Sequence, residues 1–283
     1  MFKIKYSCKE YVNHVKENLK KEISYLKVKP TLVVIQIDDN PASNSYIKGK
    51  KKDCEDVGIR CVHVKLNSNE HSQKDLENII NEYDNSMNVH GIIIQLPIPD
   101  KYNIDRLQCC VSPEKDVDGF RVDSKHKPCT PKGIIDWLEY NEYDFVGKNA
   151  VVIGRSKIVG KPLANMLIDK GATVSCCNSH TTLFARIRLF QNANLIVSAI
   201  GKPHFFDCYD FYKPIIGNNL EVVVDVGINH DENGKLCGDV NGKDFEKFLP
   251  DTYLTPVPGS VGLLTRVTLL TNLMRAYRML EVN

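Results

Sequence analysis

The chain has 283 residues, 42% hydrophobic and 25% charged, with a formal net charge of +2. That length suits two domains, and a balanced charge spread along the chain argues against a polybasic nucleic-acid or membrane-surface protein. The densest basic cluster, KGKKK at 48–52, is short and lies in a predicted helix, where it reads as a solvated face. No apolar run reaches the ~18 residues a membrane helix needs. The first 22 residues have no apolar core and no small-residue cleavage site, so they do not read as a secretory signal. The expected compartment is therefore the cytoplasm, with all ten cysteines reduced and mostly buried. No C-x-x-C pair and no Cys–His spacing suggests zinc, so no metal is expected.

In chain order, residues 9–27 carry an apolar stripe at helical spacing. TLVVIQI (31–37) is a β-branched run expected as a buried strand. The stretch PASNSYIKGKKKDCEDVGI then reads as a helix, with Ser43 or Asn44 as its cap and Gly58 as its stop. Tyr46 and Lys50 are four apart, on one face of that helix. An aromatic ring beside an amine suits a flat polar substrate held over a general acid/base, although many helices carry such a pair without a function. RCVHVKL (60–66) alternates like a strand, 72–84 reads as a helix, and GIIIQLPIP (91–99) as a buried strand bearing Gln95. This β-α-β-α-β order implies a parallel sheet flanked by helices. Asp38, Asp39 and Gln95 lie near strand ends, where such sheets bind ligands, and are expected to face one cleft.

SPEKDVDGF (112–120) places Asp116 and Asp118 around a valine. Position twelve of a calcium loop counted from Asp116 would be Lys127, which argues against calcium. Either carboxylate is a solvated turn residue or one accepts from an amino-pyrimidine-like edge. PCTPKGIIDWLEY (128–140) reads as a helix start with Thr130 as cap and Pro131 in the first turn.

A second α/β unit begins at Lys148, with strands expected at 149–154, 172–177, 194–201 and 221–227. The turn Gly154-Arg-Ser-Lys-Ile-Val-Gly160-Lys-Pro162 is not G-x-G-x-x-G. It still offers a tight turn, a helix start, and Arg155, Ser156 and Lys161 for phosphates. After the second strand, Asn178-Ser179-His180-Thr181 lacks the acid that usually holds an NAD ribose. With Arg155 nearby, this favours NADP, with NAD as the alternative. Thr255-Pro-Val-Pro-Gly-Ser-Val-Gly262 reads as a stiff loop before an apolar helix at 263–280.

Eight motifs occur in order: Tyr46-x-x-x-Lys50, Gln95-Leu-Pro97, Lys115-Asp-Val-Asp118-Gly-Phe120, Pro128-Cys-Thr-Pro-Lys-Gly133, Gly154-Arg-Ser-x-Ile-Val-Gly160-x-Pro162, Asp225-Val-Gly-Ile-Asn229, Gly238-Asp-Val240 and Thr255-Pro-Val-Pro-Gly259. Together they resemble the bifunctional methylenetetrahydrofolate dehydrogenase/methenyltetrahydrofolate cyclohydrolase (FolD) family over nearly the whole chain. The resemblance implies two α/β domains with parallel sheets, the second a Rossmann-like NAD(P)-binding domain, with a cleft between them. The division expected is 1–136 plus 257–283 for folate and 137–256 for NADP. Methylenetetrahydrofolate would be oxidised with NADP and the methenyl product hydrolysed to 10-formyltetrahydrofolate.

By matching positions, the resemblance implies Lys50 as general acid/base, tuned by Gln95. Tyr46 would stack on the aminobenzoate ring, Asp118 would accept from the pterin, and Pro97, Pro258 and Gly259 would touch substrate. Gly154, Arg155, Ser156, Ile158, Gly160, Pro162, Ser179 and Ile228 would hold the dinucleotide. The loop at 256–262 would close over nicotinamide and folate. A homodimer joined through the nucleotide domains is also implied, with no nucleic-acid or membrane partner.

Three departures bear on the oxidation more than the hydrolysis. Only eight residues separate Gly119 from Pro128, where relatives carry about twice as many. Leu263 and Leu264 replace Pro and Met, and Arg266 stands where the family has a small or apolar residue. A short-chain dehydrogenase also uses Tyr-x-x-x-Lys, but there the nucleotide glycines precede the tyrosine. A folate-binding protein without turnover is disfavoured by the complete Tyr46, Lys50, Gln95 and Asp118 set.

Overall fold

Thr31–Ile37 forms strand β1, buried along its whole length, in the computed structural model of the chain, which describes residues 2–207, 219–243 and 245–281. β1 pairs in parallel with β2 (Arg60–Leu66) on one side and β3 (Gly91–Ile94) on the other, so that Val33 sits opposite Val62 and Ile92. The order β2-β1-β3 is extended by a parallel bridge between Ile92 and Asp116. A β-branched strand buried on both faces needs cover on both. Leu32, Val34 and Ile93 pack with Ile23 of α1 (Cys8–Ser24), Ile47 of α2 (Pro41–Val57) and Leu273 of α9 (Val261–Glu281). Val33, Ile35 and Ile92 face the other way, onto Leu76 and Ile80 of α3 (Gln73–Asn85) and Leu107 of α4 (Ile104–Cys109). Gly91 lets α9 approach closely: a Cβ there would lie 2.7 Å from Leu273 Cδ1 and 2.8 Å from Val117 Cγ1.

Two helix starts differ from expectation. Asn40, not Ser43 or Asn44, caps α2, its side chain accepting from Ser43 N with Pro41 at the first position. The Ser43 hydroxyl donates instead to Leu96 O at 3.2 Å. α5 (Cys129–Tyr140) begins one residue before Thr130, so Thr130 is helical and its hydroxyl meets that of Thr265 at 2.9 Å. Gly58 ends α2 in the left-handed conformation at φ 88°, as its position predicts. Ser72 and Asp75 form a capping box at α3.

The second sheet has the order β10-β7-β6-β4-β5, built from β4 (Asn149–Ile153), β5 (Thr173–Cys177), β6 (Leu195–Ser198), β7 (Val222–Asp225) and β10 (Tyr253–Leu254), all parallel. Helices α6 (Gly160–Asp169) and α7 (Leu183–Gln191) make the crossovers, and β8 (Asn229–His230) with β9 (Leu236–Cys237) form a small antiparallel hairpin. α8 (Phe245–Phe248) follows that hairpin. The edge strand β10 escaped the sequence because it is two residues long. The strands expected to run to 99, 154, 201 and 227 end at 94, 153, 198 and 225. The prolines and glycines at their tips leave the ladder instead.

The chain divides into two compact units, residues 13–129 with 266–283, and residues 1–12 with 130–265. The expected division had placed residues 1–12, 130–136 and 257–265 in the first domain. In the second unit the N-terminal segment is tied to α5: Lys5 N and Tyr6 N both donate to Asn141 Oδ1 at 2.8 Å, and Trp137 Nε1 donates to Tyr6 O at 3.0 Å. Among the described residues no helix is long and apolar enough to cross a membrane. The cysteines described there are free, five of them buried; Cys208 lies outside the described residues.

Candidate active site

The order β2-β1-β3 reverses direction between β1 and β3, the place where open α/β sheets bind ligands. α2 leaves from the tip of β1, and its start is fixed to both strands. Gln36 at the end of β1 donates to Asn44 at 2.8 Å, and Ser43 reaches the carbonyl beyond β3. Two and a half turns into α2, Lys50 is only 5% exposed, so it departs from the solvated face expected of the KGKKK run. Its Nζ donates to Gln95 Oε1 at 3.1 Å and lies 5.2 Å from the Tyr46 ring centroid. Gln95 is itself held by donating through Nε2 to Leu96 O at 2.7 Å. Among the described residues no carboxylate forms an ion pair with Lys50. A buried ammonium with a neutral partner is costly to a fold and marks a functional candidate.

Asp118 is half-buried and faces the charge of Lys50. Burial pushes its carboxyl above the ordinary range, Lys50 pulls it back, and Asp116 adds to the rise. Asp116 does a different job: its Oδ2 accepts from Arg121 N at 2.9 Å, closing the turn. The short segment after Gly119 doubles back tightly, so that a Cβ on Gly119 (φ 73°) would lie 2.6 Å from the Lys127 carbonyl carbon. Asn272 on α9 pins the two ends of this loop, donating to Val117 O at 2.9 Å and Lys127 O at 3.1 Å. Sequence reasoning missed Asn272; a lone amide on the apolar stripe of the last helix was the available signal. Asp38 and Asp39 do not join the cluster. Asp38 accepts from Ser68 N at 2.7 Å, and Asp39 pairs with Lys65 and Asn44. Pro97 is exposed just beyond Gln95, and the Leu96–Pro97 bond is cis.

In the second unit the sheet reverses between β4 and β6, and Gly154 lies at that point. It takes φ 119°, and a Cβ on it would overlap Ala199 O; a Cβ on Gly160 would overlap Gly154 O. The bare backbone therefore folds into a tight turn at the start of α6, with Arg155 exposed and Ile158 half-buried on it and Lys161 and Pro162 in the first turn of the helix. Ser156 does less than expected for phosphate: its hydroxyl accepts from Val159 N and Gly160 N at 3.2 and 3.3 Å, closing the turn that leads into the helix. Gly154 N donates to Cys177 O at 2.9 Å, which sets Arg155 beside the tip of β5. There Ser179 is exposed in a turn closed by Asn178 and Thr181, without a carboxylate. Glycine-lined turn, helix start, cations and acid-free tip fit a dinucleotide with an extra phosphate on its ribose.

The motif carboxylates Asp225 and Asp239 rigidify the neighbouring tips. Asp225 accepts from the backbone N–H groups of Gly227, Asp239 and Val240 at 2.9, 3.0 and 2.8 Å. Burial pushes its carboxyl up to about 6 against their pull. Asp239 accepts from Ser198, Ile200, Gly201, Lys202 and Asn229. Beyond β10, Pro256, Pro258 and Gly259 are exposed, Gly259 at φ 109°, and Ser260 anchors the loop by donating to Pro256 O at 2.5 Å. Ile228, 55% exposed, lies beside this loop, its Cδ1 3.7 Å from where a Cβ on Gly262 would stand.

Comparison with known proteins agrees with this division of labour. Residues 6–118 match the tetrahydrofolate dehydrogenase/cyclohydrolase catalytic domain, and residues 128–281 match the NAD(P)-binding domain of the same family. The bifunctional protein FolD of Oceanobacillus iheyensis is 40% identical over 280 residues, 95% of this chain and 94% of the relative. The crystal structure of the bifunctional FolD of Campylobacter jejuni superposes with a TM-score of 0.88 at 37% identity, covering 96% of this chain and 98% of that one. The Trypanosoma brucei enzyme, solved with NADP and an inhibitor, gives 0.85 at 26% identity, with 97% of each chain covered. Matched across both domains and along almost its full length, the chain belongs to the tetrahydrofolate dehydrogenase/cyclohydrolase family.

Proposed function

We propose that this chain oxidises 5,10-methylenetetrahydrofolate with NADP and hydrolyses the methenyl product to 10-formyltetrahydrofolate, with Lys50 as general acid/base. The buried Lys50, held by Gln95 and facing Asp118 on the Tyr46 side of α2, is the observation that carries this reading. Tyr46 stacks on the aminobenzoate ring, Asp118 accepts from the pterin amino edge, and Pro97, Pro258 and Gly259 border the substrate. The cationic methenyl folate, once bound, drives Lys50 to its neutral form. The free amine takes a proton from the water that adds to the methenyl carbon and returns it to the ring nitrogen as its bond to that carbon breaks, and the remaining hydroxyl proton leaves to solvent as the formyl carbonyl forms. Such proton transfer contributes roughly 10²–10⁴-fold. NADP supplies the hydride acceptor, held by Gly154, Arg155, Ile158, Gly160, Pro162, Ser179 and Ile228; Ser156 shapes their turn. Arg155 at an acid-free strand tip supports NADP over NAD.

The setting is the cytoplasm and one-carbon metabolism, and the working form is a homodimer. Light scattering checks that form: a mass near twice 32.0 kDa is expected, and 32.0 kDa itself contradicts it. The function is tested with purified protein, methylenetetrahydrofolate, and NADP or NAD. NADPH formation well ahead of NADH is the expected result; equal rates would defeat the cofactor choice, and no reduced cofactor would defeat the oxidation.

A further inference from the structure

Arg266 and Gly49 form a pair that the reaction described above does not use. Arg266 lies against α2 where Gly49 has no side chain, and a Cβ there would overlap Nη1 of Arg266. Its Nε stands 2.8 Å from Oδ2 of Asp53, an ionic contact, while Lys16 Nζ contacts Oδ1 of the same carboxylate at 2.5 Å. Asp53 is 5% exposed, and the Arg266 side chain keeps 23% of its exposure. At 3.6 residues per turn, Tyr46, Gly49, Lys50 and Asp53 fall within one arc of α2 of about 100°. Gly49 and Lys50 flank the Tyr46–Asp53 row from opposite sides. Arg266 is thus fixed beside the Tyr46 ring position, on the side away from Lys50.

Neutralising Asp53 does not require Arg266, because Lys16 already contacts that carboxylate. Lys16 also contacts Asp56 Oδ2 at 2.9 Å, and Lys52 contacts Asp56 Oδ1 at 3.3 Å, so three cations on two acids leave positive charge at the edge of the ring site. The group joined to the aminobenzoate ring of a folate is a glutamate with two carboxylates, and a planar guanidinium suits a carboxylate.

We propose that Arg266 binds the glutamyl carboxylate of the folate substrate and makes the enzyme prefer glutamate-bearing substrates. This rests on the reading of Tyr46 as the ring-stacking residue. The test is cofactor-free hydrolysis of methenyltetrahydrofolate and of methenyltetrahydropteroate, which lacks the glutamate, by the full chain and its Arg266→Met and Arg266→Lys variants. A charge-assisted hydrogen bond of roughly 1.5–3 kcal/mol corresponds to about ten-fold or more in preference. Arg266→Met should lower the folate-over-pteroate ratio of kcat/KM by about ten-fold, through KM, and Arg266→Lys should restore part of it. Continued pteroate turnover shows that each variant is folded. A ratio unchanged in Arg266→Met, with both substrates affected equally or not at all, overturns the proposal. Wild-type protein inert toward both substrates overturns the functional reading beneath it.

Discussion

Lys50 and Asp118 face each other with opposite charges, and they differ in what their surroundings do to them. Lys50 has a neutral amide as its hydrogen-bond partner, whereas Asp118 is raised by burial and restrained by Lys50. The sign for substrate binding follows. An ionised carboxylate accepts pterin N–H bonds more strongly than a carboxylic acid, which turns one oxygen into a donor, and Asp118 loses its charge as pH falls through a pKa above the ordinary ~3.9. We expect kcat/KM for hydrolysis to fall on acidification with a midpoint above that ordinary value, and Asp118→Asn to remove this limb of the profile. A limb that persists in Asp118→Asn would assign it to another group. Asp116, two residues away, is committed to Arg121 N, so the two carboxylates that looked alike in sequence divide into a turn closer and a site residue.

The tip of β4 depends on backbone that tolerates no side chain. Gly154 combines a left-handed φ of 119° with contact to Ala199 O, so Gly154→Ala is strained twice, at roughly 1–3 kcal/mol for the conformation alone. We predict that this variant loses NADP-dependent oxidation far more than methenyl hydrolysis, because the turn lies in the second unit and Lys50 in the first. Steady-state assays of both reactions check it; equal losses would contradict it. Elements of this kind were partly legible beforehand. The β-branched runs announced β1, β3, β4 and β6, and Tyr46–Lys50 spacing announced one face of α2. The caps were misread at α2 because Asn40, Ser43 and Asn44 are all competent there; only the tertiary partners Leu96 and Gln36 decide among them. β10 is too short for any periodicity, and the Gly49–Arg266 contact joins residues 217 positions apart, which no local pattern encodes.

Across the whole chain the same device appears twice: a parallel sheet that reverses direction, with chemistry placed beyond the strand tips at the reversal. In one unit the tips bear Gln95 and the helix of Tyr46 and Lys50; in the other they bear Gly154, Arg155 and the acid-bound turn of Asp225 and Asp239. Family membership was readable because eight short motifs fall in a fixed order, whereas the allegiance of residues 1–12 was not, since it rests on Asn141 and Trp137 accepting and donating to that segment. The most direct test of the central claim is methenyltetrahydrofolate hydrolysis by Lys50→Met, measured without cofactor and with the thermal midpoint as a control. Methionine keeps the packing of the lysine stem, so the protein should remain folded, and hydrolysis should fall by at least ~10²-fold. A folded Lys50→Met protein that hydrolyses at the wild-type rate would contradict the role of Lys50 and the site built around it.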